Sequence, residues 1–351
     1  MSNLVHTFEI NRILNEMQTI NVLSEHYNLK ETQEVIRRLK GKRDVIELPL
    51  SIPGIILFAI SYADDDYYRI YLRLEPQSLI EGRRTIDVFD CSNESVARLE
   101  TTLDKTIDIV CSVLPQSYRW SVGRIDYSMN LTSKYVKECV ALAKKGKDPY
   151  RYNDHVNKTG SSYRMSKSVV LNYYDKYDHI SKKIDADSLD AHLLEEAQNI
   201  YRIEVQCLNY NKLKHIRKKF DLPKETNVYH YLRSDIAEWA LLSYYDKVIG
   251  RADYYSLDKA IKTVESTVWG TRKKENIKNW IRLIAQARSV SKAREQFVGG
   301  ATLARTGTVV KGSVNTFRNY EKACKDIEVN PVTIPRDWGI NYIPNPINSI
   351  G

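Results

Sequence analysis

Apolar positions recur with two different periods along this chain, and each period predicts a different kind of element. In Ser92–Leu114 apolar residues recur every three or four positions, which is typical of an amphipathic helix that Ser92 or Asn93 can cap. Further helices are predicted over Lys30–Lys40, Thr132–Lys145, Asp187–Asn199 and Asn211–Phe220. Runs of β-favouring residues, several with alternating polarity, predict strands. These runs are Asp44–Tyr62 with a bend at Pro53-Gly54, Tyr67–Leu74, Thr85–Cys91, Tyr118–Leu131, Tyr163–Tyr177 and Ile200–Leu208.

This order of elements predicts an α+β fold: a mainly antiparallel sheet with helices on one face. The pattern over Leu232–Thr267 is helical, and we expect this extension to pack behind the sheet. Beyond it, helices are predicted over Lys274–Ala287, from Ser289, and over Ser313–Asp326, with the Gly- and Thr-rich stretch GGATLARTGTVVKG before the last. That arrangement is compatible with a helix-turn-helix or winged module. The Pro-rich end is expected to be irregular.

The charge of the chain changes sharply near residue 270. The 351 residues carry a formal charge of +9. Gly270–Gly351 holds 14 Lys and Arg against 6 Asp and Glu, whereas the first 269 residues hold 39 against 38. Tyrosine has the opposite bias, since 22 of 24 precede residue 270. We therefore predict an α+β domain over residues 1–269, with its helical extension from about residue 232, and a basic DNA-binding module over residues 270–351.

Several classes of protein are excluded by the sequence. No run approaches the eighteen apolar residues of a transmembrane helix. The start, MSNLVHTFEI, lacks the basic region and apolar run of a secretory signal. The five cysteines are scattered without a CxxC pair, a pattern that suits neither a zinc site nor a disulfide framework. We expect a cytoplasmic protein with reduced thiols and no membrane partner.

Three of the predicted strands carry charged side chains at alternate positions within apolar runs. They contain the segments VGRIDYSM, VVLNYYDKY and IYRIEVQC. Residues i and i+2 of a strand face the same side of a sheet. The residues that share a face are, strand by strand, Arg124 with Asp126, Asn172 with Tyr174 and Lys176, and Arg202 with Glu204 and Gln206. If the three strands are neighbours, one face presents two carboxylates, several cations and a tyrosine.

That set of side chains suits phosphodiester chemistry. Carboxylate oxygens can bind Mg²⁺ or Mn²⁺, and such an ion polarises a phosphate oxygen and stabilises the charge that develops during transfer. A tyrosine hydroxyl becomes a usable nucleophile when a cation or metal lowers its pKa. The ordinary alternative is the solvent-facing side of an antiparallel sheet, where a cross-strand Arg–Glu pair contributes only about 0.2–1 kcal/mol.

The order of these motifs resembles a known family. RID, a strand ending in YYDK, a helix and YRIEVQC follow one another as in the replication initiators of rolling-circle plasmids and phages. The chain looks most like the filamentous-phage gene II/X replication proteins of Firmicute phages, plasmids and integrative elements. Its end, IEVNPVTIPRDWGINYIPNP, also resembles the end of those proteins. The resemblance covers about Asp44–Gly351.

The resemblance implies that one strand of origin DNA is nicked. A tyrosine would attack the scissile phosphate and stay linked to the 5′ end, and the freed 3′ hydroxyl would prime synthesis by a host polymerase alongside a host helicase. The motif places the nucleophile at Tyr174, with Tyr173 as the rival because the strand register is open by one residue.

The implied metal ligands, for Mg²⁺ or Mn²⁺, are Asp126 and Glu204. The groups implied to contact phosphate or to tune the tyrosine are Arg124, Lys176 and Arg202. The chain departs from many rolling-circle nickases because none of its seven histidines forms a His-hydrophobic-His pair. A metal site would therefore rely on carboxylates, with His179 either a third ligand or an ordinary surface histidine.

Two other functions stay open at this point. A relaxase of a conjugative element would nick DNA by the same chemistry. A non-catalytic DNA-binding protein would use the polar strands for docking and would bind with strong salt dependence but no metal requirement. The partner in each case is DNA, single- or double-stranded. A second YYDK, Tyr244–Lys247, lies in a helical pattern and is expected to pack in the core.

Overall fold

The fold is built on one large antiparallel sheet. A computed structural model describes residues 4–42, 44–149, 151–152, 154–156, 160–183 and 190–349. In these residues nine strands pair in the order β2-β3-β4-β1-β5-β9-β8-β7-β6, and every pair is antiparallel. The strands are β1 (Val5–Asn15), β2 (Val45–Glu47), β3 (Ile55–Asp64), β4 (Tyr67–Leu74), β5 (Ser121–Thr132), β6 (Asp154–Val156), β7 (Ser161–Met165), β8 (Val169–Asp175) and β9 (Ile200–Cys207).

Helices fill most of the rest of the described chain. They are α1 (Glu16–Ser24), α2 (Leu29–Lys42), α3 (Pro76–Glu81), α4 (Asn93–Val110), α5 (Val136–Lys144), α6 (Lys176–Ser181), α7 (His192–Glu196), α8 (Tyr210–Lys219), α9 (Ser234–Val248), α10 (Leu257–Glu265), α11 (Thr271–Ala287), α12 (Val290–Gly299) and α13 (Val314–Asp326). The predicted α+β class is thus confirmed. None of the helices in the described ranges combines the length and the apolar character that crossing a membrane would require.

The predicted amphipathic helix is confirmed as α4, and its start follows the sequence signal. Ser92 caps it, because its hydroxyl oxygen accepts a hydrogen bond from the Ser95 amide at 3.2 Å. Leu99, Leu103 and Ile107 are buried along one side of this helix. The helix therefore contributes one continuous apolar stripe to the core.

Three sequence predictions about elements are wrong. Thr85–Cys91 is not a strand, and Phe89 makes a single bridge to Val5. The run Asp44–Tyr62 forms two strands and not one, since β2 ends at Glu47 and β3 begins at Ile55. The bend predicted at Pro53-Gly54 is confirmed. Gly54 has φ +86°, and a Cβ there would lie 2.4 Å from the Leu79 backbone nitrogen. The predicted helix over Asp187–Asn199 is only the short α7, and residues 187–189 lie outside the described residues.

The two faces of the sheet differ in chemistry. Phe8, Tyr127, Tyr173 and Ile203 belong to the main apolar core, which also contains buried residues of α1, α2, α4, α5, α8 and α9. The prediction of helices on one face needs a correction, since α6 lies on the opposite face. Its His179 ring packs 5.1 Å from the ring of Tyr174.

The basic part of the chain forms helices with a small hairpin. Arg288, with φ +54°, and Ser289 join α11 to α12, and the Ser289 side chain caps α12. The Gly- and Thr-rich stretch forms a hairpin of β11 (Ala301–Thr302) and β12 (Val309–Val310) ahead of α13. The rings of Trp280 and Phe317 meet edge to face at 5.1 Å. The last helices thus share an aromatic core.

The Pro-rich end is ordered against the segment that holds α9 and Tyr254–Tyr255. Its strand β13 (Tyr342–Ile343) pairs with β10 (Tyr254–Tyr255), which separates α9 from α10 within the predicted helical extension. Asn345 is buried and accepts a hydrogen bond from the Tyr245 hydroxyl at 2.6 Å. One apolar core extends from Leu4 to Ile347. The boundary predicted near residue 270 falls between α10 and α11, which contact each other, and stays a prediction.

Candidate functional site

The three strands with alternating charge lie side by side in the middle of the sheet. In the ladder between β5 and β9, Asp126 lies opposite Gln206 and Asn130 opposite Arg202. In the ladder between β9 and β8, Arg202 lies opposite Tyr174. Directly opposed residues point to the same side of a sheet. We call this side the polar face; its residues are Thr7, Arg124, Asp126, Asn130, Asn172, Tyr174, Arg202, Glu204 and Gln206.

Asp126 forms one half of the polar face together with Arg124. The Arg124 Nε and Nη2 atoms donate to the two carboxylate oxygens of Asp126, each at 2.8 Å. Thr7, on the neighbouring strand β1, donates its hydroxyl to Asp126 Oδ2. Burial raises the pKa of Asp126 to about 6, the nearby charge of Glu204 raises it as well, and the Arg124 guanidinium opposes both.

Glu204 forms the other half with Tyr174. The Tyr174 hydroxyl donates to Glu204 Oε2 at 3.2 Å, and Gln206 Nε2 donates to Glu204 Oε1 at 2.5 Å. Burial raises the pKa of Tyr174, the charge of Glu204 raises it further, and the charge of Arg202 opposes the shift. In this arrangement Tyr174 is a protonated phenol bonded to a carboxylate that can accept its proton.

Arg202 lies beside Tyr174 and is completely buried. Its Nε donates to Asn130 Oδ1 at 2.7 Å, and its Nη2 donates to the Ile86 carbonyl oxygen. Its Nη1 is buried without a hydrogen-bond partner among the described residues. A buried guanidinium with an unused donor is costly in a closed protein, and it is the group that an anion would satisfy.

Further cations and imidazoles gather around Arg202. Lys176, the first residue of α6, is buried, and burial together with the Arg202 charge lowers its pKa. Burial lowers the pKa of His179 to about 4, with the charges of Lys183, Lys176 and Arg202 adding to the shift. Burial also lowers the pKa of His6, on the bulged start of β1. The two imidazoles are therefore neutral near pH 7, and Arg202 is the guanidinium that lies directly opposite Tyr174.

Tyr173 and Tyr174 point to opposite sides of the sheet. The Tyr173 ring packs against the Tyr245 ring of α9 at 6.0 Å, inside the main core. Burial raises the pKa of Tyr173. Tyr174, by contrast, shares its side with the carboxylates and Arg202. Of the two candidate nucleophiles, Tyr174 is the one the structure groups with the other candidate residues.

The polar face is covered where Tyr174 and Arg202 lie. A small apolar cluster roofs it, made of Ile86 from the segment after α3, Ile180 from α6, and Leu193 and Ala197 in and after α7. No more than 6% of Asp126, Tyr174, Lys176, Arg202 or Glu204 is exposed. A DNA strand could reach Tyr174 only if this roof moved.

The donor set does not make a metal centre as the side chains stand. Within the described ranges, no group of three or more His, Cys, Asp or Glu side chains is placed to hold a metal ion. Both oxygens of Asp126 and both oxygens of Glu204 already accept hydrogen bonds from the protein. The two carboxylates predicted as metal ligands are thus neighbours, but they lie in a hydrogen-bonded network.

Sequence reasoning missed Thr7, His6 and the roof residue Ile86. Thr7 and His6 belong to β1, whose mixed sequence VHTFEINRILN did not predict a strand. Ile86 acts through its backbone carbonyl, which a side-chain pattern does not reveal. The second YYDK, in contrast, is core packing as predicted, since Tyr244 and Tyr245 are buried in α9.

Comparison of the chain with models of protein families, with curated proteins and with solved structures gives no significant match.

Proposed function

We propose that this protein is a DNA-nicking replication initiator in which Tyr174 is the nucleophile. The observation that supports it best is the Tyr174–Glu204 hydrogen bond beside the unused Arg202 donor. A nucleophile bonded to a base, with cations next to it, is what attack on a phosphodiester requires. The resemblance to gene II/X replication proteins points to the same chemistry.

The proposed step uses these residues and one proton from solvent. The Tyr174 oxygen attacks the scissile phosphorus, and its proton passes to Glu204. The bond from phosphorus to the 3′ oxygen breaks, and that oxygen takes a proton from solvent. Arg202 neutralises charge on the phosphate oxygens, and a phosphate beside Lys176 would favour the protonated form of that lysine. The products are a 5′-phosphotyrosine and a free 3′ hydroxyl that can prime synthesis.

Two features of the structure shape this proposal. Burial disfavours a free phenolate at Tyr174, so proton transfer to Glu204 has to accompany attack. The closed roof means that binding of origin DNA must displace the segment around Ile86 or the helices α6 and α7. We further propose that Mg²⁺ or Mn²⁺ would be held by Asp126 and Glu204 together with the DNA phosphate once Arg124 and Gln206 release a carboxylate oxygen of each, since Mg²⁺ is often held by one or two carboxylates plus substrate.

In this proposal the helices and hairpin after residue 270 form a winged helix-turn-helix module that binds duplex origin DNA. Two observations support it: the turn at Arg288–Ser289 between α11 and α12, and the hairpin ahead of α13. The charge of this part of the chain, 14 cations against 6 acidic residues, favours the phosphate backbone.

The same burial favours a second candidate, a non-catalytic DNA-binding protein in which the polar network only stabilises the sheet. One experiment separates the two. The protein is incubated with single-stranded oligonucleotides tiled across the DNA next to its own gene, with Mg²⁺ or Mn²⁺ or with chelator. A nickase gives a covalent adduct only with metal. DNA binding without any adduct would support the second candidate.

A further inference from the structure

The helix α8 carries a concentrated positive charge. The numbers of basic and acidic residues in 1–269 are nearly equal and do not reveal it. Five of its ten residues are cations, and none is acidic: Lys212, Lys214, Arg217, Lys218 and Lys219. Residues 210–225 hold 6 Lys and Arg against 2 Asp and Glu, so the rest of residues 1–269 holds 33 against 36. The charge excess of the chain therefore has a second centre outside the basic C-terminal part.

These cations are free of acidic partners in the structure. No carboxylate of the described residues forms an ion pair with any of the five. Lys214, Lys218 and Lys219 are exposed, while Leu213 and Ile216 on the other side of the helix are buried in the main core. Unpaired like charges on one helix repel each other, and an anionic partner would relieve that repulsion.

Aromatic rings of α9 hold part of this charge in place. The Lys212 Nζ lies 4.9 Å from the ring centre of Trp239, and the Lys219 Nζ lies 5.1 Å from the same ring. The Lys247 Nζ lies 4.6 Å from the ring centre of Tyr244. Cation–π contacts orient ammonium groups without neutralising them. Ordering them in advance reduces the entropy that a partner has to overcome on binding.

The helix α8 lies on the side of the sheet away from the polar face. The Tyr231 hydroxyl donates to the Leu213 carbonyl at 3.3 Å, and the Tyr127 hydroxyl donates to the Tyr231 carbonyl at 3.1 Å. Tyr127 points to the opposite side from Asp126, since the two are adjacent in β5. A partner on α8 is therefore bound separately from Tyr174.

We propose that the α8 surface, made of Lys214, Arg217, Lys218, Lys219 and Lys247, binds the phosphate backbone of double-stranded DNA. A duplex offers closely spaced phosphates, and each one neutralised by Lys or Arg releases a counterion. An anionic membrane fits less well, because an amphipathic helix that lies in a membrane interface inserts its apolar face, and the apolar face of α8 is buried. This inference rests on the proposed function in one respect, the choice of DNA as the polyanion that binds α8.

The test uses the full chain and a labelled non-specific duplex, with fluorescence anisotropy between 50 and 200 mM salt. The triple variant Lys214→Gln, Lys218→Gln, Lys219→Gln is expected to bind more weakly, with the slope of log Kobs against log salt reduced by about 2 to 3. The matched control Lys30→Gln, Lys105→Gln, Lys137→Gln changes the net charge equally at exposed sites elsewhere and should keep the slope of the wild type.

Two results would overturn the inference. One is a triple variant that is folded, with an unchanged circular dichroism spectrum and Tm, and whose binding curves overlay those of the wild type. The other is a triple variant that loses binding to phosphatidylserine vesicles while keeping its affinity for duplex. Adduct formation on single-stranded oligonucleotides is measured in parallel. Its failure in the wild type would count against nicking, whereas an unchanged salt slope would count against the α8 surface.

Discussion

At the scale of single residues, the ionisation of each buried group on the polar face depends on burial and on the charges of its neighbours. Asp126 is held by Arg124 and Thr7, yet its burial and the neighbouring Glu204 raise its pKa to about 6. An unfolded aspartate titrates near 3.9. The folded protein therefore binds a proton at Asp126 more tightly than the unfolded chain does, and ionisation of this carboxyl costs stability.

The first prediction follows from that difference of about two pKa units, which corresponds to about 3 kcal/mol. The contribution of Asp126 to the free energy of unfolding is fully present below pH 4 and is lost as the pH rises to 6. In Asp126→Asn this loss is absent. Urea unfolding of both proteins is measured at pH 4, 5, 6 and 7. Between pH 4 and pH 7 the free energy of unfolding of the variant should rise relative to that of the wild type by up to about 3 kcal/mol.

The matched control for this experiment is Asp108→Asn, at an exposed position of α4. Its stability should follow that of the wild type at every pH. If the free energy of unfolding of Asp126→Asn changed with pH as that of the wild type does from pH 4 to 7, the pKa of Asp126 would not be raised.

At the scale of elements, the sequence was most informative where one face of a strand is polar and the other apolar. The segments around Arg124, Tyr174 and Arg202 became β5, β8 and β9, and the hydrogen-bonded ladders place their polar sides together. The central strand β1 escaped prediction because its buried residues mix with polar ones on a bulged backbone. Pairing with β4 and β5 makes it a strand, and pairing is a tertiary effect.

The sequence predicted that Asp126 and Glu204 lie close together only if their strands are neighbours in the sheet. The local pattern of polar and apolar residues does not determine the order of strands. The hydrogen bonds within the site could not be predicted at all. The hydrogen bond from Tyr174 to Glu204 depends on the register between β8 and β9. A shift of one residue would move every side chain of a strand to the other side of the sheet. The roof over Arg202 depends on Ile86, in a segment predicted wrongly as a strand.

The second prediction concerns the bend between β2 and β3. Gly54→Ala should lower the free energy of unfolding by about 2 kcal/mol or more, because φ is +86° and the new Cβ would meet the Leu79 backbone. Gly41→Ala, in α2 with no atom within 4 Å of the new Cβ, should raise it by about 0.5–1 kcal/mol. Chemical denaturation of the two variants shows whether the free energy of unfolding falls in Gly54→Ala and rises in Gly41→Ala. Equal effects would contradict the close approach at Gly54.

At the scale of the whole molecule, the end of the chain is tied to the segment around α9 and β10. The Asn345 side chain donates to the carbonyls of Gly250 and Ala252 and accepts from the Tyr245 hydroxyl. These groups are buried or half-buried, so each needs its partner. The basic segment is therefore anchored at both of its ends, through α10 and through the tail.

The third prediction tests that anchor. Asn345→Ala should lower the free energy of unfolding by about 2–3 kcal/mol, because it leaves buried polar groups without partners. Asn319→Ala, exposed on α13, should change it by less than about 1 kcal/mol. The measurement is urea denaturation of each full-length variant. Similar values for the two variants would show that the tail contributes little to the fold.

The central claim, that Tyr174 is the residue that links to DNA, has a direct test. The protein is incubated with a cleavable single-stranded oligonucleotide and Mg²⁺ or Mn²⁺, and the linked peptide is mapped by mass spectrometry. We predict a phosphotyrosine link at Tyr174, no adduct with Tyr174→Phe, and an adduct with Tyr173→Phe, whose ring lies in the core against Tyr245. A full yield of adduct from Tyr174→Phe would contradict the account.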